Sequence, residues 1–179
     1  ANTLNDFVVD QKAVTYSIAA GNITYGDAYS AGAISYTGLE TDDVVTATAQ
    51  IDDVSLSTAN KLEAGTYTQS IDGTHGGADV ANYSITLDTA NNYVVDQKAI
   101  TYDIASGNVT YGDNLSETPG AVSFTGVETD DVVTGTAQID DTATSTAGYL
   151  QAGTYTQSLA SSAGADLANY SISANTLDD

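Results

Sequence analysis

Apolar and polar residues alternate along many short runs of this chain. Ile100, Tyr102 and Ile104 share one face of the run AITYDIA, and the residues between them share the other. In the run VVTGTAQID, Ala137 and Ile139 alternate with polar or small residues. The runs GTYTQSL and ANYSIS have the same period of two. This period is typical of β-strands with one buried face.

Clusters of Gly, Asn, Asp and Ser separate these runs, and no long stretch has the period of a helix. TYGD, which occurs twice, predicts a strand that ends in a turn, because Gly accepts unusual dihedral angles and Asp bonds nearby backbone amides. AGTY, also present twice, predicts a turn that begins a strand. The sequence therefore predicts an all-β protein.

Whole blocks of sequence occur twice. VVDQKAVTYSIAAGNITYGD at 8–27 returns as VVDQKAITYDIASGNVTYGD at 94–113, with 16 of 20 positions identical. Later blocks return at offsets of up to 88 residues, among them TG[LV]ETDDVVT, L[EQ]AGTYTQS and ANYSI. Repetition of this kind predicts two tandem domains, residues 1–89 and residues 90–179, each a small β-sandwich. A single large barrel is the less favoured interpretation.

The first and last six residues are also related. The chain opens on ANTLND and closes on ANTLDD, and joining the two would give a junction similar to the internal SITLDTANNYVVDQKA. The two repeats are therefore expected to come from a longer tandem array. Two residues are gained between Asp113 and Phe124, which predicts a surface loop there.

The charge of the chain excludes several partners. Asp and Glu number 24 against 3 Lys and no Arg, a formal net charge of −21. Nucleic acids and anionic membrane surfaces attract Lys and Arg, so neither is an expected partner. No apolar run approaches the roughly 18 residues that a membrane-spanning helix needs, so no direct membrane insertion is expected. The absence of cysteine leaves the compartment open.

The order TYGD, TG[LV]ETDD, AGTY and ANYSI resembles the MBG/YDG-type repeat domains of large bacterial surface adhesins. The family's common Tyr-Asp-Gly turn reads Tyr-Gly-Asp here. The resemblance covers nearly the whole chain, twice. It implies two immunoglobulin-like β-sandwich domains arranged end to end, exported and displayed on the outside of a bacterial cell.

Paired carboxylates are candidate calcium ligands, because Ca²⁺ prefers six to eight hard oxygens. No contiguous calcium loop is present, so a repelling, solvated surface is the competing interpretation. The candidate ligands occupy matching positions in the two repeats: Asp42, Asp43, Asp52, Asp53, Asp130, Asp131, Asp140 and Asp141. No other cofactor is predicted.

Two further sets of residues have candidate roles. Lys12 with Asn82, and Lys98 with Asn169, are candidates for an intramolecular isopeptide cross-link, although most lysines keep their charge in water. His75 is the one histidine, has no counterpart in the second repeat, and is expected to be solvated rather than catalytic. No phosphate loop, nucleophile elbow or zinc spacing is present, so no catalytic residue and no enzyme activity are predicted.

The favoured function is a stalk or spacer that extends a terminal binding domain from the bacterial surface, with neighbouring repeats of the same chain as its partners. The alternative is a module that binds a carbohydrate or a host protein through exposed loops. The loops that differ between the repeats carry small residues without concentrated chemistry, which favours the spacer.

Overall fold

The computed structural model describes residues 7–113 and 119–175. Within these ranges the chain forms strands and two short 3-10 helices, and no α-helix. The predicted all-β class is confirmed. Residues 114–118 of the predicted loop lie outside the described residues. No helix in the described part is long and apolar enough to cross a membrane.

The strands are short, as the brief alternating runs predict. In chain order they are β1 (Lys12–Ile18), β2 (Gly21–Thr24), β3 (Ile34–Thr37), β4 (Ala49–Ile51), β5 (Gly65–Tyr67), β6 (Gln69–Ile71), β7 (Tyr83–Ala90), β8 (Tyr93–Asp96), β9 (Lys98–Ile104), β10 (Val122–Thr125), β11 (Thr134–Ile139), β12 (Gln157–Ala163) and β13 (Tyr170–Ala174). The 3-10 helices, Val80–Asn82 and Leu167–Asn169, directly precede β7 and β13.

The chain forms two compact units, and their boundaries differ from those of the two sequence repeats. Of the described residues, the first unit contains 7–23, 27–55 and 65–95, and the second contains 24–26, 56–64 and 96–175 with the gap at 114–118. Two short segments of the first repeat, residues 24–26 and 56–64, thus belong to the second unit. Independent folding of residues 1–89 and 90–179 stays a prediction.

The first unit is built around β1. This strand pairs antiparallel with β3 and parallel with β7, the latter from Lys12↔Tyr83 to Ile18↔Ala90. Val14 on β1 packs with Val45 and Tyr83 in the core of the unit. A separate antiparallel pair, β4 with β6, completes the repeated framework.

The second unit repeats this arrangement. β9 pairs antiparallel with β10 and parallel with β13, and β11 pairs antiparallel with β12. Ile100 occupies the place of Val14 and is buried. Along β11 the threonines and Gln138 are exposed, whereas Ala137 and Ile139 are half-buried. The predicted alternation is therefore confirmed in this strand.

One sheet of the first unit has no counterpart among the described residues of the second. In this sheet β8 lies between β2 and β5. β8 pairs antiparallel with β5, from Gly65↔Val95 to Tyr67↔Tyr93. Tyr93 and Val95 are each only 3% exposed. β8 fills the gap between β2 and β5, and we call this gap the strand slot.

Candidate functional site

One aspartate of each acidic pair adopts a left-handed turn conformation. Asp42, Asp53, Asp130 and Asp141 all have positive φ, between 50° and 76°. Asp tolerates this left-handed region better than most residues because its short side chain can bond to the nearby backbone. Four of the eight calcium candidates therefore have a conformational reason to be aspartate.

The other four carboxylates accept hydrogen bonds from neutral side chains. Asp52 accepts from Ser70 at 2.6 Å, and Asp140 accepts from Ser158 at 2.8 Å, at the same place in each repeat. Asp43 and Asp131 each accept from a tyrosine hydroxyl. These bonds satisfy the carboxylates without a cation.

The described residues include no group of three or more His, Cys, Asp or Glu side chains that could hold a metal ion. The structure does not gather the eight acidic candidates into one place, since the pairs lie in separate turns. Calcium binding stays a prediction, and this arrangement adds no support to it.

The turn role of these aspartates can be tested at Asp53, whose φ is 50°. Alanine there should lower the free energy of unfolding by about 1 kcal/mol relative to glycine, because only glycine enters the left-handed region without a steric cost. In urea denaturation we expect Asp53→Gly to be about as stable as the parent protein, and Asp53→Ala to be less stable than both. Equal stability of the two variants would contradict a conformational role.

A tyrosine–aspartate pair recurs in both units. Tyr83 donates its hydroxyl hydrogen to Asp43 at 2.5 Å and accepts from the backbone N–H of Glu40. Tyr170 does the same with Asp131, at 2.5 Å, and with the N–H of Glu128. The bond to Asp43 raises the pKa of Tyr83, and burial followed by the bond to Asp131 raises that of Tyr170. Both hydroxyls are therefore structural donors at neutral pH.

In the second unit Tyr25 adds another ring to this pair. Its hydroxyl lies 2.5 Å from Asp131 and 2.6 Å from the hydroxyl of Ser57. Its ring packs edge-on against Tyr170, with centroids 5.3 Å apart. Tyr25 is 1% exposed, and burial, followed by the bond to Asp131, raises the pKa of its hydroxyl. Its counterpart in the second repeat, Tyr111, is 54% exposed.

Asp166 holds the segment 56–64 in the second unit. It is 2% exposed and accepts three hydrogen bonds, from the N–H of Thr58 at 3.0 Å, from the Thr58 hydroxyl at 2.6 Å and from the N–H of Val132 at 2.8 Å. Nearby, the side-chain oxygen of Asn169 accepts from the N–H of Ala64 at 2.8 Å. The N–H of Ala59 donates to Asp131 at 3.1 Å, so the segment has three anchors: the carboxylates of Asp131 and Asp166 and the side-chain amide of Asn169.

The cross-link candidates make other contacts. The Lys12 ammonium is 2.6 Å from Glu40, and the Lys98 ammonium forms an ion pair with Glu128. Asn169 is occupied by the Ala64 bond just described. An isopeptide cross-link between Lys12 and Asn82, or between Lys98 and Asn169, stays a prediction.

His75 is half-buried rather than solvated, so this expectation was wrong. Its Nδ1 lies 2.9 Å from the Tyr36 hydroxyl, and its ring packs edge-on against Tyr16 with centroids 4.8 Å apart. No local pattern indicates this contact, because Tyr36 and Tyr16 lie on strands 39 and 59 residues earlier in the chain. The arrangement is that of a packed loop residue.

The second unit has an open cleft of about 680 Å³ at the place that corresponds to the strand slot. Its walls include residues 107–113 and 148–155, and Val109 and Tyr149 are partly exposed there. Residues 107–110 and 153–155 match β2 and β5 in sequence but form no strand. We call this feature the second-unit cleft.

Comparison with protein-family models gives no match for this chain, and no curated protein or solved structure matches it either.

Proposed function

We propose that the chain consists of two immunoglobulin-like β-sandwich spacer repeats from a large bacterial surface adhesin of the MBG/YDG-type. In this role the repeats hold a terminal binding domain away from the cell. They act as passive, load-bearing modules and perform no catalysis. The observation that carries the proposal is the pairing of the first and last strands of each repeat.

These strands pair in parallel, β1 with β7 and β9 with β13. Tension on the chain pulls on the start of β1 and, through β8, on the end of β7, so it pulls the two paired strands in opposite directions along their length. All the hydrogen bonds between them then carry load together, instead of opening one at a time. This geometry suits a load-bearing spacer.

The acidic surface suits the same role. With a net charge of −21, copies of the chain repel one another at short range, which keeps a dense surface layer soluble. The acidic turns satisfy their own carboxylates through neighbouring hydroxyl and amide groups, as they would in a module with no ligand of its own.

The alternative is a binding module for a carbohydrate or a host protein, and the second-unit cleft with its tyrosines is where it would bind. The residues that line the cleft are nearly the same as those that hold β8 in the first unit. GNVT at 107–110 corresponds to GNIT in β2, and GTY at 153–155 is identical to GTY in β5. This correspondence favours a polypeptide strand as the occupant and therefore favours the spacer.

Single-molecule force measurements test the mechanical proposal. The chain has no cysteine, so introduced cysteines give unique attachment points. Tension applied through the chain ends should unfold the first unit at a higher force than tension between cysteines at Thr15 and Thr37. The latter pair lies at one end of the antiparallel pairing of β1 with β3, which opens bond by bond. Equal unfolding forces would contradict a load-bearing design.

The surface location has its own test. Antibodies against the chain should label intact cells of the source bacterium, and protease treatment of the cells should remove the label. In-frame deletion of the repeats should leave the terminal domain's affinity for its isolated ligand unchanged but weaken attachment of whole cells. Labelling only after lysis would contradict the proposal.

A further inference from the structure

Residues 7–10 have nearly the same sequence as β8 and the opposite environment. They read FVVD, and β8 reads YVVD. In β8 the aromatic residue and the second valine are buried, each 3% exposed. At the start of the chain Phe7, Val8 and Val9 are 93%, 72% and 81% exposed and belong to no strand. Three consecutive large apolar residues in water mark a segment suited to a partner.

The second-unit cleft has the chemistry of the slot that β8 fills. In the first unit Gln69 donates to the carbonyls of Ala19 and Asn91 and accepts from the N–H of Gly32. In the second unit its counterpart Gln157 donates to Ala105 and accepts from Gly120, which reproduces two of the three bonds. The third partner, Asn91, lies in the two-residue connection between β7 and β8. No described residue takes its place beside Gln157.

Space for a strand is shown by two equivalent glycines. A Cβ built on Gly21 would lie 2.2 Å from the ring of Tyr93, so the strand packs directly on this glycine. A Cβ built on Gly107, the counterpart, meets nothing within 4 Å among the described residues. The cleft therefore has room at the point where the aromatic ring of the strand would lie.

We propose that residues 7–10 of a second copy of this chain insert into the second-unit cleft, as β8 inserts into the first unit. The inserted strand would pair with residues 153–155, and Phe7 and Val9 would point inward as Tyr93 and Val95 do. Strand addition of this kind uses backbone hydrogen bonds for affinity and alternate side chains for specificity.

Contacts around the strand match as well. Asp131 in the second unit binds Tyr25, and Asp166 binds Thr58. Their counterparts in the first unit, Asp43 and Asp79, already accept from Tyr83 and from the N–H of Val44. A carboxylate can accept further hydrogen bonds, as Asp131 does, and the matching Tyr111 and Thr146 of the other copy would supply them. Residues 7–10 lead into β1 just as β8 leads into β9, so strand insertion brings these groups together.

The two surfaces of this interface are different, one at the start of the chain and one in the second unit. Each copy therefore has one donor strand and one acceptor cleft. Contacts of this heterologous type do not close on themselves, so they produce linear chains of copies. In a longer array the corresponding strand before the following repeat would fill the same cleft, so a second copy of this chain makes the contact that a following repeat would make.

Sedimentation velocity over a range of protein concentrations provides the test. We expect mass to grow with concentration, and more so at raised ionic strength, since salt screens the repulsion between chains of charge −21. Phe7→Ser and Val9→Ser should each weaken association about tenfold or more, because each removes a buried apolar side chain. Val8→Ser, on the other face of the strand, is the matched control and should have a much smaller effect.

Gly107→Ala tests the cleft from the other side. It should leave the folded monomer unchanged, because the added methyl group has space, and it should block association. Circular dichroism confirms folding of each variant. A protein that stays monomeric at every concentration and salt would overturn the proposal. So would association that the Phe7, Val9 or Gly107 variants do not weaken, or insertion of residues 7–10 into the cleft of their own chain.

Discussion

Replacement of Tyr25 by alanine should lower the free energy of unfolding of the second unit by about 3–5 kcal/mol, the usual cost of a deleted aromatic core residue. Tyr25 is almost fully buried, packs on Tyr170 and donates to Asp131. Its removal leaves both a cavity and a carboxylate that has lost a donor. Urea denaturation followed by circular dichroism measures the change.

Tyr111→Ala is the matched control, because Tyr111 lies in the same TYGD motif but is mostly exposed. Its effect should stay within about 0.5 kcal/mol, as for most surface substitutions. Tyr25→Phe should fall between the two, since it keeps the ring and loses the hydroxyl. Similar losses for Tyr25→Ala and Tyr111→Ala would show that residues 24–26 are not part of the second unit's fold.

Asp166→Asn should lower the free energy of unfolding by about 2 kcal/mol or more, because three donors converge on this carboxylate and an amide can accept fewer of them. Asp79, the counterpart in the first unit, accepts from the N–H of Val44 and is the matched control. Asp79→Asn should lower the free energy of unfolding by less than half as much as Asp166→Asn does. Urea denaturation of both variants measures the difference.

The effect of Asp166→Asn should also depend on pH. Burial alone would raise the pKa of Asp166, but the hydrogen bonds from Thr58 and Val132 outweigh burial and lower it. A folded-state pKa below the unfolded value near 4 adds stability above that pH, and this stability is lost as the pH falls through the folded value. The difference in the free energy of unfolding between Asp166→Asn and the parent protein should therefore be largest at about pH 6 and should shrink below about pH 4. A difference that grows on acidification would contradict the assignment.

The all-β class was accessible from sequence because alternation is a local property. Each strand of the framework, such as β9 or β11, carries its own period of two. The duplicated blocks also indicated that one arrangement would occur twice, and the sheets around β1 and β9 do repeat. Whether each unit is an immunoglobulin-like sandwich stays a proposal, since that depends on packing between sheets.

The burial of repeated motifs could not be predicted from local sequence. Tyr25 and Tyr111 share the motif TYGD, yet one is buried and the other exposed. Two of the residues that contact Tyr25, Asp131 and Tyr170, lie more than 100 positions away. FVVD and YVVD differ in the same manner. Identical local sequence cannot specify different surroundings, so only long-range contacts distinguish the two copies.

The acidic residues illustrate a second limit. Their pairing along the chain predicted calcium ligands, but backbone conformation and neighbouring hydroxyl groups account for most of them. Asp43 and Asp131 bind tyrosines that are about 40 residues away, and no local spacing rule indicates such partners. The signal in the sequence is that ANYSI and TDD both recur in the two repeats, and the tyrosine of ANYSI binds the second aspartate of TDD in each.

Amide hydrogen exchange on the dilute, monomeric protein tests the central claim most directly: one short strand sequence completes the first unit, and the matching place in the second unit is open. We expect slow exchange at Tyr93–Asp96 and in β5, and exchange close to the unprotected rate at residues 7–10 and 153–155. Equal protection of β5 and residues 153–155, or of β8 and residues 7–10, would contradict it.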